Sequence, residues 1–313
     1  MRYGPEHPDE TYIEHGFPEQ LFDTGEVELN YAVAGSPDRP ALLLVPGQTE
    51  SWWGYEQAMH LLAADFELFA VDLRGQGRSS RTPGRYTIDN FGNDLVRFIA
   101  GRIGRPVIPC GLSSGGVIAA WLSAYAPPGM VRAAYWEDPP LFASELNSSF
   151  GHSIRQAIGP AFAMFNKYLG DQWSIGDWAG CRAAAFEELP SWLVDFLPFL
   201  HSPEPPQNLK EYDPEWGRAF WSGTANASCD HARMLAAVKV PVLFTHHFRV
   251  VDDEAGVLKG AISDPQVGRV RELVTAAGQP FEYRSFPEMG HFMHLIDPQL
   301  YATTVRNWVA TLG

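Results

Sequence analysis

The chain has 313 residues, 45% of them hydrophobic and 19% charged, with a formal net charge of −14 at pH 7. That balance describes a globular protein with a large core, of a normal size for one α/β domain carrying an insertion. The acidity argues against nucleic acid or an anionic membrane surface as partner, and no apolar run of about 18 residues is present to span a bilayer.

The polar, acidic first twenty residues lack the apolar core of a signal peptide. Segments Gln20–Phe22 and Val27–Ala34, around Asp23-Thr24-Gly25, read as an opening β-hairpin. Then short apolar strands alternate with helical patterns. Strands are expected at Ala41–Val45, Phe66–Val71, Pro106–Cys110 and Val131–Trp136, with helices over about Ser51–Ala64, Ile88–Ile103 and Ser114–Ala126 between them. From Leu141 the alternation stops, and helical stretches and proline clusters (Pro203, Pro205, Pro206) run to about Ala236. It resumes with Val240–Thr245, a helix over Gln266–Ala277, a strand at Phe281–Phe286 and a last helix over Pro298–Leu312. The expected fold is therefore α/β: a mostly parallel central sheet with helices on both faces. Residues 1–140 and 237–313 would form the core, and 141–236 a helical cap inserted into it. Cys110, Cys181 and Cys229 supply neither a CxxC pair nor a disulfide framework, which suits a reducing cytoplasm.

Gly111-Leu112-Ser113-Ser114-Gly115 fits Gly-x-Ser-x-Gly between a strand and a helix, the turn that exposes a nucleophilic serine. A Ser114 nucleophile would need Leu112 where the first glycine belongs, so Ser113 is the candidate. Pro109, in what should be a central strand, has no evident reason. A serine hydroxyl needs a base, and His291, in Gly290-His291-Phe292 after the last strand, is placed to supply it. His294 follows by three, but Glu288 alone is too little to complete a metal site. A carboxylate must orient the imidazole. Glu137, at the end of the Val131–Trp136 strand, is preferred over its neighbour Asp138 and over Asp252 and Asp253. The oxyanion of acyl transfer would meet the backbone N–H of Ser114 and of Gln48, in the Pro46-Gly47-Gln48 loop.

Together these positions resemble the α/β-hydrolase superfamily over nearly the whole chain, including Asp72-x-Arg74-Gly75-x-Gly77-x-Ser79 and a histidine segment followed by Pro298. Glu137 follows Ser113 by 24 positions, as in members that carry the acid after the sixth strand. Glu50-Ser51-Trp52-Trp53, Gly111–Gly116, Trp136-Glu137-Asp138-Pro139, Asp171–Trp178 and Asn208–Phe220 look like bacterial zearalenone hydrolases, which open the lactone of a resorcylic macrolide. The resemblance implies a Ser113–His291–Glu137 lactonase without metal or organic cofactor. Its partner would be an apolar lactone touching Gly47, Phe292 and, in the cap, Trp216; a homodimer is compatible with it. A general carboxylesterase and a hydrolase-fold lactone sensor are the alternatives.

Overall fold

Ala41–Val45 (ALLLV) is buried at every position, as an aliphatic run must be when helices cover both faces of its sheet. The computed structural model describes residues 13–143, 154–171, 176–251 and 256–313. Its strands are β1 (Glu19–Asp23), β2 (Glu28–Ala34), β3 (Ala41–Val45), β4 (Glu67–Val71), β5 (Val107–Leu112), β6 (Ala134–Glu137), β7 (Val242–His246), β8 (Val250–Val251), β9 (Leu258–Lys259) and β10 (Phe281–Ser285). Eight of them form one sheet in the order β1-β2-β4-β3-β5-β6-β7-β10. The hairpin β1–β2 and the β2–β4 pair are antiparallel, and every other pair is parallel. The mostly parallel sheet read from the sequence is present, and β8–β9 is a small separate ribbon that the sequence did not announce.

Helices of the first half are α1 (Glu56–Leu62), α2 (Ile88–Phe98) and α3 (Ser114–Tyr125). Alternation along each strand divides the core in two. Leu43, Val45 and Trp136 face α2 and α3 through Phe91, Leu95 and Val117. Leu42, Leu44 and Tyr135 face the other layer through Met59, Leu62, Tyr301 and Trp308.

Pro109 has a physical account. Val107 N donates to Met130 O and Ser113 N to Glu137 O, so odd-numbered residues of β5 present their N–H toward β6. The register slips on that side: Val107 pairs with Val131, but Cys110 pairs with Tyr135. A proline sits where the ladder is already broken and no donor is missed.

Between β6 and β7 the described residues are helical: α4 (Ile154–Tyr168), α5 (Trp178–Glu188), α6 (Ser191–Phe196), α7 (Gln207–Lys210), α8 (Pro214–Ser222) and α9 (His231–Leu235). Phe162, Phe165, Trp178, Leu193 and Leu209 build a cluster of their own. Tyr212, Trp216, Met234 and Leu235 instead join the sheet core, so the last part of the insertion is continuous with it. Three helices close the chain: α10 (Asp264–Ala276), α11 (Met293–Ile296) and α12 (Pro298–Val309). Among the described residues no helix is long and apolar enough to cross a membrane.

Candidate active site

The turn after β5 is as tight as its glycines imply. A Cβ on Gly111 would lie 2.1 Å from Gly115 O, and one on Gly115 would lie 2.3 Å from Val45 O; no side chain fits either place. Ser113 takes φ 53° and ψ −122° at the head of α3, a backbone region that costs a non-glycine residue on the order of 1–3 kcal/mol. Among the described residues Thr49, Ser113, Asp138 and Phe142 are the non-glycines with positive φ. The first three line one cavity, so the strained backbone gathers at a single site. Ser114 also borders the cavity, but it begins α3 with ordinary helical geometry, which favours Ser113 as the exposed hydroxyl.

His291 borders the same cavity, and the carboxylate it meets is Asp138, at 2.6 Å between Nδ1 and Oδ2. This corrects the expectation of Glu137. Period two puts the Glu137 side chain on the Tyr135 face of β6, where its Oε1 accepts from Met293 N at 2.8 Å and lies 3.4 Å from His294 Nδ1. The register slip that accommodates Pro109 lengthens β6 by one residue, so a count of 24 from the serine stops one short of the turn. The other candidates, Asp252 and Asp253, lie outside the described residues.

Asp138 is 1% exposed and fully engaged: Oδ2 faces His291, and Oδ1 accepts from His247 N at 3.1 Å. Burial alone would push its carboxyl up; the His247 and His291 groups facing it outweigh burial and hold it below the ordinary carboxylate value. Burial likewise depresses His291, but Asp138, then Glu137 and Glu50, more than compensate and raise it above the usual histidine value. His247 Nδ1 lies 3.1 Å from His291 O, an acceptor, so this nitrogen carries the proton, and Nε2 meets the Thr245 hydroxyl at 3.1 Å. His247 therefore braces both Asp138 and His291. No motif in His246-His247-Phe248-Arg249 marks this role in advance.

Gln48 and Ser114 border the cavity together. Ser114 N–H, in the first turn of α3, has no intrahelical acceptor and sits at the positive end of the helix dipole. Gly47 is held on both sides, its N–H donating to Glu50 Oε2 at 3.0 Å and its carbonyl accepting from Gln76 Nε2 at 2.7 Å. A Cβ there would press on Ser113 Cβ and Leu112 Cδ2 at 3.3 Å. Gly47 thus lies beneath the wall rather than on it, contrary to expectation, and acts by permitting close packing. From the cap, Asn208 Nδ2 donates to Thr49 O at 2.7 Å, and Glu211 accepts from Trp53 Nε1 at 3.0 Å and from the Ser51 hydroxyl.

The cavity encloses about 480 Å³. Phe162, Phe165, Phe196, Phe199 and Phe220 line it from the insertion, and Phe292 from the histidine loop. Trp216 does not reach it. This tryptophan is 1% exposed and packs on Phe91 at 4.6 Å between ring centres, within the sheet core. Trp216→Ala should therefore act on stability, lowering the unfolding free energy by about 3–5 kcal/mol in a denaturant titration. The folded fraction should keep its specificity constant within a few-fold. Of the other insertion tryptophans, Trp173 lies outside the described residues. Among the described residues no group of three His, Cys, Asp or Glu side chains is arranged to hold a metal ion.

Comparison with known proteins agrees with this architecture. Over 104 residues the chain is 34% identical to 3-oxoadipate enol-lactonase 2 of Acinetobacter baylyi, a match covering 33% of this chain and 38% of that one. It is 32% identical over 145 residues to bifunctional epoxide hydrolase 2 of Sus scrofa, covering 45% of this chain and 25% of that protein. These matches thus span well under half of either relative's length. Among solved structures, the enol-lactonase from Burkholderia xenovorans LB400 superposes with a TM-score of 0.64 at 16% identity, over 93% of this chain and all of that one. The model of the alpha/beta hydrolase family matches residues 42–304, strand β3 through most of α12. The chain belongs to the alpha/beta hydrolase family.

Proposed function

We propose that the protein is a serine hydrolase that opens a bulky, neutral ester, with a macrocyclic resorcylic lactone such as zearalenone as the substrate class. The observation that carries the reading is the 2.6 Å His291–Asp138 pair beside a cavity that also exposes the strained Ser113. In this reading Ser113 Oγ attacks the ester carbonyl, and His291 Nε2, its other nitrogen committed to Asp138, takes the proton. The N–H groups of Gln48 and Ser114 receive the charge that develops on the carbonyl oxygen. Collapse of that intermediate breaks the C–O bond, and His291 returns the proton to the alkoxide. In a lactone the leaving alcohol stays tethered to the acyl-enzyme. Water, activated by the same imidazole, then releases the hydroxy acid.

The wall argues for what is admitted. Five cap phenylalanines suit an aromatic, apolar ligand, and a volume near 480 Å³ suits one larger than an acetate. The charged side chains on the described wall besides His291 are Glu50, Asp138 and Glu288. No lysine or arginine is among them, and an anionic ester would enter without a partner charge. The name of the Acinetobacter relative points to an enol-lactone of a dicarboxylic acid; the wall here supports a neutral lactone instead.

Specificity constants for zearalenone, a short aryl acetate, and a lactone carrying a free carboxylate test the reading. The macrolide should exceed the carboxylate lactone by about two orders of magnitude or more, since an unpaired charge in an apolar pocket costs several kcal/mol. Preference for the anionic lactone, or hydrolysis of the acetate alone, would defeat the assignment. Single-turnover capture of the product would point to a sensor.

A further inference from the structure

A second charged cluster runs from Glu50, on the cavity wall, to His294 and Glu137 behind it, and takes no part in the steps above. His294, Glu137 and Glu50 are 0%, 1% and 6% exposed. His294 Nε2 lies 3.4 Å from Glu50 Oε1, and His294 Nδ1 lies 3.4 Å from Glu137 Oε1. The Tyr55 ring stacks on the imidazole at 4.1 Å, and Tyr301 meets it edge-on at 5.9 Å. Carboxylates only accept, so the hydrogen bond at Nδ1 and the ion-pair contact at Nε2, which is not a hydrogen bond, both favour the doubly protonated ring. Burial would depress this histidine, but Glu137 and Glu50 overcome burial and raise it to about 10. Its charge therefore persists across neutral pH.

Each group continues into a different part of the site. Glu50 accepts from Gly47 N through Oε2, fixing the loop that presents the Gln48 amide. Glu137 accepts from Met293 N, fixing the loop that carries His291, and its own carbonyl accepts from Ser113 N at the elbow. We propose that His294 is a positioning residue, an imidazolium clamped between Glu50 and Glu137 that holds the oxyanion loop and the histidine loop in register with the nucleophile. The inference rests on Ser113 being the nucleophile.

The two carboxylates are not equivalent. Glu50 accepts from Gly47 N–H at Oε2 and faces the His294 charge with Oε1 across an ion-pair contact that is not a hydrogen bond; an amide keeps one acceptor and no charge, so it cannot serve both. Glu137 meets both of its donors through Oε1, so an amide can turn its oxygen to both. Glu50→Gln should therefore disturb the site more than Glu137→Gln.

The experiment is the rate of covalent labelling by a fluorophosphonate, with mass spectrometry to locate the adduct and saturation stoichiometry to count folded sites. His294→Asn should label to full stoichiometry but about 10–100-fold more slowly, the scale of loss from a small misplacement of reacting groups. kcat on the ester should fall by a similar factor, with KM within about twofold. Glu50→Gln should slow labelling about tenfold and Glu137→Gln about threefold; this pair decides the matter if His294→Asn does not fold. Wild-type rates in folded His294→Asn, or losses for the two glutamines that are equal or reversed, would overturn the positioning role alone. A wild type unlabelled at Ser113 would overturn the serine-hydrolase reading itself, and this inference with it.

Discussion

Ser113→Ala is expected to abolish turnover on every ester while leaving the protein folded. In the proposed mechanism the hydroxyl forms the covalent bond, and losing a hydrolase nucleophile costs roughly 10⁴-fold or more in kcat. Binding should survive, because the apolar wall does not depend on one Oγ. The fold should survive as well, and relief of crowding at φ 53° is small either way, since alanine keeps the Cβ. Ser114→Ala should be mild, because the proposed mechanism uses only the Ser114 backbone N–H. Steady-state kinetics with a fluorescence titration of bound macrolide separates these outcomes. Near-normal turnover in Ser113→Ala, with Ser114→Ala dead, would place the nucleophile one residue on.

Asp138→Asn is expected to be nearly as damaging, with a loss of roughly 10³–10⁴-fold. An amide beside Nδ1 can stabilise the wrong imidazole tautomer, and it cannot balance the imidazolium that forms when Ser113 gives up its proton. The substitution also moves the pH profile. His291 must be neutral to accept a proton, and its pKa is raised by Asp138 against burial. In the wild type the rising limb of kcat/KM should thus lie above the pH at which an ordinary histidine titrates. Without the carboxylate the largest group opposing burial is gone, and the limb should shift toward lower pH, on a much reduced maximum. Glu137→Gln should cost far less and leave the limb close to its place. If Glu137→Gln were the dead variant and Asp138→Asn the mild one, the 2.6 Å contact would be structural and the acid would be Glu137.

Most of the scaffold can be read without coordinates because its causes are local. Buried aliphatic runs such as Ala41–Val45 have one available role in a sheet covered on both faces, and Gly111-x-Ser113-x-Gly115 is dictated by backbone contacts of 2.1 and 2.3 Å that no side chain tolerates. The carboxylate that meets His291 was not legible, because its position depends on a register slip beside Pro109, a property of two strands rather than of one segment. Trp216 misled for a similar reason. A tryptophan in an aromatic insertion can face a ligand or anchor a helix, and only the partner, Phe91 of the sheet layer, distinguishes the two. His247, Gln76 and Glu50 announced themselves least. Each acts on a backbone N–H or carbonyl rather than on substrate, and no residue pattern marks such a bond in advance.

Asn208 and Glu211 grip the loop that carries Gln48, one at Thr49 O and the other at Ser51 and Trp53. A roof that is also a bracket cannot be exchanged freely. Grafting a foreign insertion onto this sheet to change its substrate range would import new walls and discard the fastening of the Gln48 loop in one operation. Engineers and natural recombination face the same constraint: a transplanted lid must bring a donor for the Thr49 carbonyl and an acceptor for the Trp53 indole, or the new pocket will sit over a slackened catalyst. Point substitutions among the five cap phenylalanines leave both fastenings untouched and offer the smoother route to new substrates.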